Sequence, residues 1–301
     1  MAKAARHTSW AVAGLLLNAF VWGLSWWPFK QLESLGLHPL WATAIVYGLS
    51  FLLIALWCKL ARLPGLAWRA HPGLWWLLIA SGLTNVGFNW AVTVGDVVRV
   101  VLLFYLMPAW SVLVAWWLLG DRPTPGALLR LLLALSGLAI VLHTPGHAWP
   151  VPERLADVLA LLGGLSFALT NALLLKLKDT PASSRMLAMF GGGTLMASLT
   201  AGLASGSAVV MQTTGWHPDW VGPVLVLALA FLGGNLALQY GAARLPAHTT
   251  ALVMLSEVVF ASVSSVILGA STWDSRTLTG GALILLAAVL SVVMPGKSAH
   301  G

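Results

Sequence analysis

The sequence predicts an all-α membrane protein with ten transmembrane helices, arranged as two inverted five-helix repeats with both termini cytoplasmic. Three observations lead there. The 301 residues are 59% hydrophobic and 8% charged, with a mean hydropathy of +0.87, whereas soluble domains carry about 25% charged residues. Apolar runs of about 20 residues, the length a helix needs to cross a bilayer, recur ten times along the chain. Finally, sliding the chain against itself by 150 residues lays Asn85 on Asn235 and Asn89 on Gln239, and puts Pro108 one residue past Glu257. An offset near 145 lays Ser25 on Thr170. Each half, 1–147 and 148–301, holds five runs; an odd number makes the second half enter the membrane from the opposite side.

In chain order, the run 10–31 follows the charged segment MAKAARHTSW; it is too long for a signal-peptide core and lacks a small-residue cleavage site, so an uncleaved first span is expected. Asn18, Trp22 and Ser25 share one face of it. After 39–60 comes the turn Arg62-Leu-Pro-Gly, and then 73–94, in which Ser81, Asn85 and Asn89 recur every four residues on one face. The run 97–119 contains Phe104, Tyr105 and Pro108. A proline in mid-helix removes a backbone hydrogen bond and predicts a kink there, read either as a gate or as a static bend. Past Asp121-Arg-Pro-Thr-Pro-Gly lie 126–143, then 154–176 with Thr170 and Asn171, 184–206, and 220–242 with Asn235 and Gln239. The run 246–268 opens on Pro246, where a missing N–H costs nothing, carries His248 near its start, and holds Ser256 and Glu257 at its middle; 277–294 closes the series.

Of the 16 Lys and Arg residues, 12 fall on the side of the N-terminus and four, Lys30, Arg99, Arg154 and Arg276, on the other. The excess marks the cytoplasmic side. A net charge of +7 in a soluble chain would suggest nucleic acid, but dispersed between apolar runs it is explained by topology, and no nucleic-acid partner is expected. The single cysteine, Cys58, excludes an intramolecular disulfide and a multi-cysteine metal site. No GxxxxGK[ST] motif is present for an ATP-driven pump, no HExxH or paired carboxylates for an intramembrane enzyme, and no repeated filter for a channel. No metal or cofactor is expected.

Inverted repeats are the signature of secondary transporters, whose substrate site lies near the midplane where the halves meet. An ionised carboxylate there costs about 2.5 to 3.5 kcal/mol, so Glu257 needs a reason: hydrogen bonds that satisfy it structurally, or a substrate ammonium or proton. The mid-span amides have two readings as well, as packing contacts between helices at about 0.6 kcal/mol each or as the polar lining of a site. Lys30 and Arg99, at the outer ends of their runs, are expected to snorkel or to meet a substrate carboxylate on its way out.

With Trp22-Gly-Leu-Ser in the first run, Leu118-Leu-Gly-Asp-Arg-Pro closing the fourth and Leu255-Ser-Glu in the ninth, the whole chain resembles the drug/metabolite transporter superfamily, in particular its EamA-type ten-helix exporters. It departs from that pattern at Asp121, usually Glu, and at Val258, where a proline commonly follows the acid. The tryptophan content and largely uncharged centre look most like the YddG-type exporters of aromatic and other neutral amino acids. The resemblance implies alternating access and export of amino acids or similar small metabolites across a bacterial inner membrane. On that reading Trp22, Ser25, Asn85, Asn89, Tyr105, Asn171, Asn235, Gln239 and Glu257 bind the substrate and Pro108 bends the gate. Drug-like cations or nucleotide sugars are the alternative cargo. Membrane lipid surrounds the chain, as monomer or homodimer.

Overall fold

Backbone amides in hydrocarbon find no water, so a chain of this composition satisfies them within helices. The computed structural model describes residues 2–114, 116–117, 124–143, 152–204, 217–242, 244, 253–254 and 256–293, and among them there are helices and connecting turns but no strand. The helices are α1 (Ala2–Leu24), α2 (Trp26–Ser34), α3 (Pro39–Leu60), α4 (Gly73–Val94), α5 (Val97–Phe104), α6 (Met107–Val114), α7 (Pro125–Leu142), α8 (Leu155–Lys176), α9 (Ala182–Ala204), α10 (Val221–Ala242), α11 (Ser256–Ile267) and α12 (Ser275–Val293). Among the described residues, seven stretches are long and apolar enough to cross a membrane; α11 and α12 are shorter apolar helices. Leu60, Leu203 and Ile267 are among many large apolar side chains left on the outside, a surface suited to lipid. The expected repeat boundary at 147–148, the Leu118–Pro123 motif, Pro246, His248 and both chain ends lie outside the described residues.

Among the described residues, two of the expected runs are interrupted. The first is interrupted at Ser25, between α1 and α2, because Pro28 has no N–H to give the carbonyl of Leu24. The fourth is two helices of eight residues each, because Pro108 likewise withholds a hydrogen bond from Phe104, and α5 ends there. Cap residues fix other ends. Asp96 accepts from the Arg99 N–H at 2.8 Å to start α5, and Thr124 accepts from Ala127 N–H to start α7 with Pro125 at its first turn.

Helix α4 is the most enclosed, 78% buried against 44% or less for the other six long spans. It packs on α8 and α9; α1 packs on α10 and α11, α3 on α9 and α10, α5 and α6 on α8, and α7 on α12. Exchanging α1 with α8, α3 with α9, α4 with α10, α5–α6 with α11 and α7 with α12 leaves this set of principal pairings unchanged. Two of the contacts need glycine on both sides: at Gly137 and Gly280, and at Gly82 and Gly192, a Cβ on either residue would collide with the backbone of the other helix.

A buried ion pair ties three helices at one end of the bundle. Arg99 of α5 donates to both oxygens of Asp157 on α8, Nε to Oδ1 at 2.7 Å and Nη2 to Oδ2 at 3.0 Å, and to the Val141 carbonyl of α7 at 2.6 Å. Arg99 was expected to snorkel or to wait for a substrate; it is committed instead to Asp157, which is 1% exposed. Lys30 gives its ammonium to the Gly95 carbonyl at the end of α4. Because a stranded buried charge costs about 3–5 kcal/mol, Arg99→Ala should destabilise the protein by about 3 kcal/mol or more, and Arg99→Ala/Asp157→Ala by less than that. Thermal unfolding of the purified chain in detergent checks the order.

Candidate functional site

Trp22 stands at the centre of the site. Placed on α1 three residues before the break at Ser25, its indole stacks on Phe231 of α10, with centroids 4.7 Å apart, and meets Phe88 of α4 edge-on at 6.2 Å. The ring series continues on both sides. Phe231 lies 5.5 Å from Tyr47 of α3, and Phe88 lies 4.7 Å from Phe104, the last residue of α5. Offset and edge-on arrangements of this kind hold aromatic rings in place, and this row joins two polar centres.

The first centre is the Glu257 carboxylate in the first turn of α11, 7% exposed. The Tyr105 hydroxyl donates to its Oε2 at 2.9 Å and lies 3.3 Å from the Met254 carbonyl. The Asn18 amide of α1 donates to the Met254 sulfur at 3.5 Å, while its Oδ1, fully buried against Gly234, finds no partner among the described residues. A buried carboxylate with a phenolic donor, and a buried amide oxygen on α1 with no partner among the described residues, make this part of the bundle rich in acceptors. It suits a ligand that brings N–H donors and positive charge.

The second centre lies between α3 and α4. Tyr47 donates its hydroxyl to Asn85 Oδ1 at 2.7 Å, and the Asn89 amide donates to Thr43 Oγ1 at 3.3 Å. Asn89 Oδ1, like that of Asn18, is buried without a partner among the described residues. In this way the four-residue spacing of Asn85 and Asn89 turns both amides towards α3.

Other expected site residues are placed differently. Ser25 is buried and hydrogen-bonds the Trp22 carbonyl of its own helix. Thr170 faces Thr84 on α4, their hydroxyls 3.5 Å apart, whereas Asn171, one position on, is turned outward and exposed, its amide 3.6 Å from the Met107 sulfur. Adjacent residues are about 100° apart on a helix and do not share a face. Asn235 is half-buried on α10; the side chains of Gln239 and Pro108 lie outside what is described. Tyr47 and Thr43 were missed by sequence reasoning. A signal existed for Tyr47: the chain has three tyrosines, all within apolar runs, where a hydroxyl that becomes buried requires a partner. Among the described residues no three His, Cys, Asp or Glu side chains converge to hold a metal.

Residues 9–143 match the EamA-like transporter family, which points to a membrane transporter. No curated protein matches the chain. A crystal structure described only as that of a protein shares the fold, with a TM-score of 0.57 over 94% of this chain and 95% of that one at 18% identity.

Tyr47→Phe removes the donor to Asn85 Oδ1 and Asn85→Ala removes the acceptor of the Tyr47 hydroxyl, so each should destabilise by about 1–3 kcal/mol. A double-mutant cycle on the two, read by thermal or denaturant unfolding, should give a coupling of about 0.6 kcal/mol, the size of interhelical hydrogen bonds in membranes.

Proposed function

We propose that this chain, whose first half matches the EamA-like transporter family, is a secondary exporter of small metabolites, aromatic and other neutral amino acids first. It works across a bacterial inner membrane by alternating access. Ten spans form two inverted five-helix repeats, 1–147 and 148–301, with both termini cytoplasmic. The exchange of helix pairings between the halves supports that arrangement.

The observation that carries the reading is the buried Glu257–Tyr105 pair at one end of a row of aromatic rings inside apolar helices. Glu257 meets the substrate ammonium; Trp22, Phe88 and Phe104 provide the surface for its side chain. Asn85, Asn89, Asn235 and Gln239 supply hydrogen bonds, and Pro108 supplies the bend by which the site opens to one side at a time. A substrate carboxylate, by contrast, has no fixed cation to meet. No Lys or Arg lies at mid-span among the described residues, and Arg99 is held by Asp157. That favours a second cargo, an aromatic organic cation on the same site, and disfavours a nucleotide sugar, whose phosphates need positive charge.

Counterflow of labelled tryptophan, phenylalanine, threonine, phenethylamine and a nucleotide sugar into proteoliposomes tests the reading. Amino acids should exchange with saturation, the nucleotide sugar not at all. Movement of phenethylamine alone would make the cation the cargo, and movement of none would overturn the transporter reading for the isolated chain. Replacing a charge-assisted hydrogen bond by a neutral one loses roughly 1.5 kcal/mol or more, so Glu257→Gln should lower counterflow about tenfold while insertion and melting are kept. Unchanged counterflow with a lower melting temperature would instead make Glu257 a structural carboxylate.

A further inference from the structure

Helix α5 has an unusual position for so short an element. Seven of its eight residues are buried, all but Arg99, and it lies against α4, α8, α11 and α12. It fills the interior of the bundle at the end that carries Arg99 and Asp157. Its backbone is separated from α6 by the turn at Tyr105 and Leu106. Apart from apolar contact, α5 and its cap are held by polar ties at each end. At one end these are Arg99 to Asp157 and to the Val141 carbonyl, and the Val98 N–H to Ser271 Oγ at 3.3 Å. At the other end is the hydroxyl of Tyr105, the residue that caps α5, on Glu257.

The second tie has a consequence for which ligands are carried. Tyr105 offers a neutral O–H to the carboxylate; a protonated amine offers a charged N–H, and charge-assisted hydrogen bonds are about twice as strong. Tyr105 occupies Oε2, and an ammonium that takes this oxygen displaces it. On the reading above, in which Glu257 receives the substrate ammonium, we infer that Tyr105 is a positioning residue that makes transport conditional on that ammonium: its hydroxyl occupies the ligand position on Glu257 while α5 closes the bundle, and an incoming amine displaces it and frees α5 to swing. An aromatic ligand without a donor of this strength rests on Trp22, Phe88 and Phe104 but leaves Tyr105 in place. It binds and is not carried.

Ser271 reports the position of α5, because it is 6% exposed and its hydroxyl faces the Val98 N–H. In the full chain with Cys58→Ser and Ser271→Cys, purified in detergent, the labelling rate of the introduced thiol by a charged maleimide follows the opening of that end. Phenethylamine should raise the rate about tenfold, and the uncharged isostere phenethyl alcohol should not, although it competes with phenethylamine for binding by calorimetry. With Tyr105→Phe added, labelling should be fast without ligand and indifferent to phenethylamine. With Glu257→Gln added, whose amide oxygen still accepts from Tyr105, it should stay slow with phenethylamine present.

Slow ligand-free labelling in Tyr105→Phe, or opening by the alcohol equal to that by the amine, overturns the inference while leaving the transporter reading intact. If no probe binds or exchanges, the transporter reading falls. Fast ligand-free labelling in Tyr105→Phe would then still identify Tyr105 as the tie on α5, and slow labelling would overturn that too.

Discussion

In lipid every backbone N–H and C=O has to be bonded inside the protein, and this requirement governs both the regular and the irregular parts of the fold. Where the chain is regular it produces long apolar helices with nothing else between them. Where proline removes a donor it forces the helix to stop and leaves a carbonyl to be covered. Phe104 is such a place: its carbonyl lies against Gly164 of α8, so close that a Cβ there would be 2.7 Å from the oxygen. The glycine of one helix therefore answers the proline of another. A break that would be costly alone is sheltered by close packing, and Tyr105, next in the chain, is delivered to the middle of the bundle.

The same physics explains what was legible in advance. Hydropathy located the long helices because lipid selects for it residue by residue, and Glu257 stood out because a carboxylate amid apolar residues is expensive. The four-residue spacing identified a polar face at Asn85 and Asn89. It did not show that this face turns to Tyr47 and Thr43, since a face has no partner until helices are assembled. The break at Ser25 was legible in Pro28 and went unread, because an apolar run conceals an internal break from any measure of hydropathy.

The tie between Arg99 and Asp157 was not legible. Each residue sits near the end of its own run, 58 positions from the other, and taken singly looks like an interfacial charge. Only the arrival of α5 beside α8 removes them from water together, and two charges buried together are tolerated where one is not. Asn171 shows the converse. Adjacent to Thr170 in the sequence, it was grouped with it, but helical geometry sends the two in different directions.

Gly137 meets Gly280, Gly48 meets Thr194 and Tyr105 meets Glu257, and these partners are separated by between 143 and 152 residues, close to the offset at which the sequence overlays itself. On the inverted-repeat reading, contacts between residues so spaced lie near the axis that relates the two halves. At the first two of these contacts the partners are small. At Tyr105 and Glu257 they are not: one side offers a phenol at the end of α5, the other a carboxylate in the first turn of α11. There a phenol donates and a carboxylate accepts.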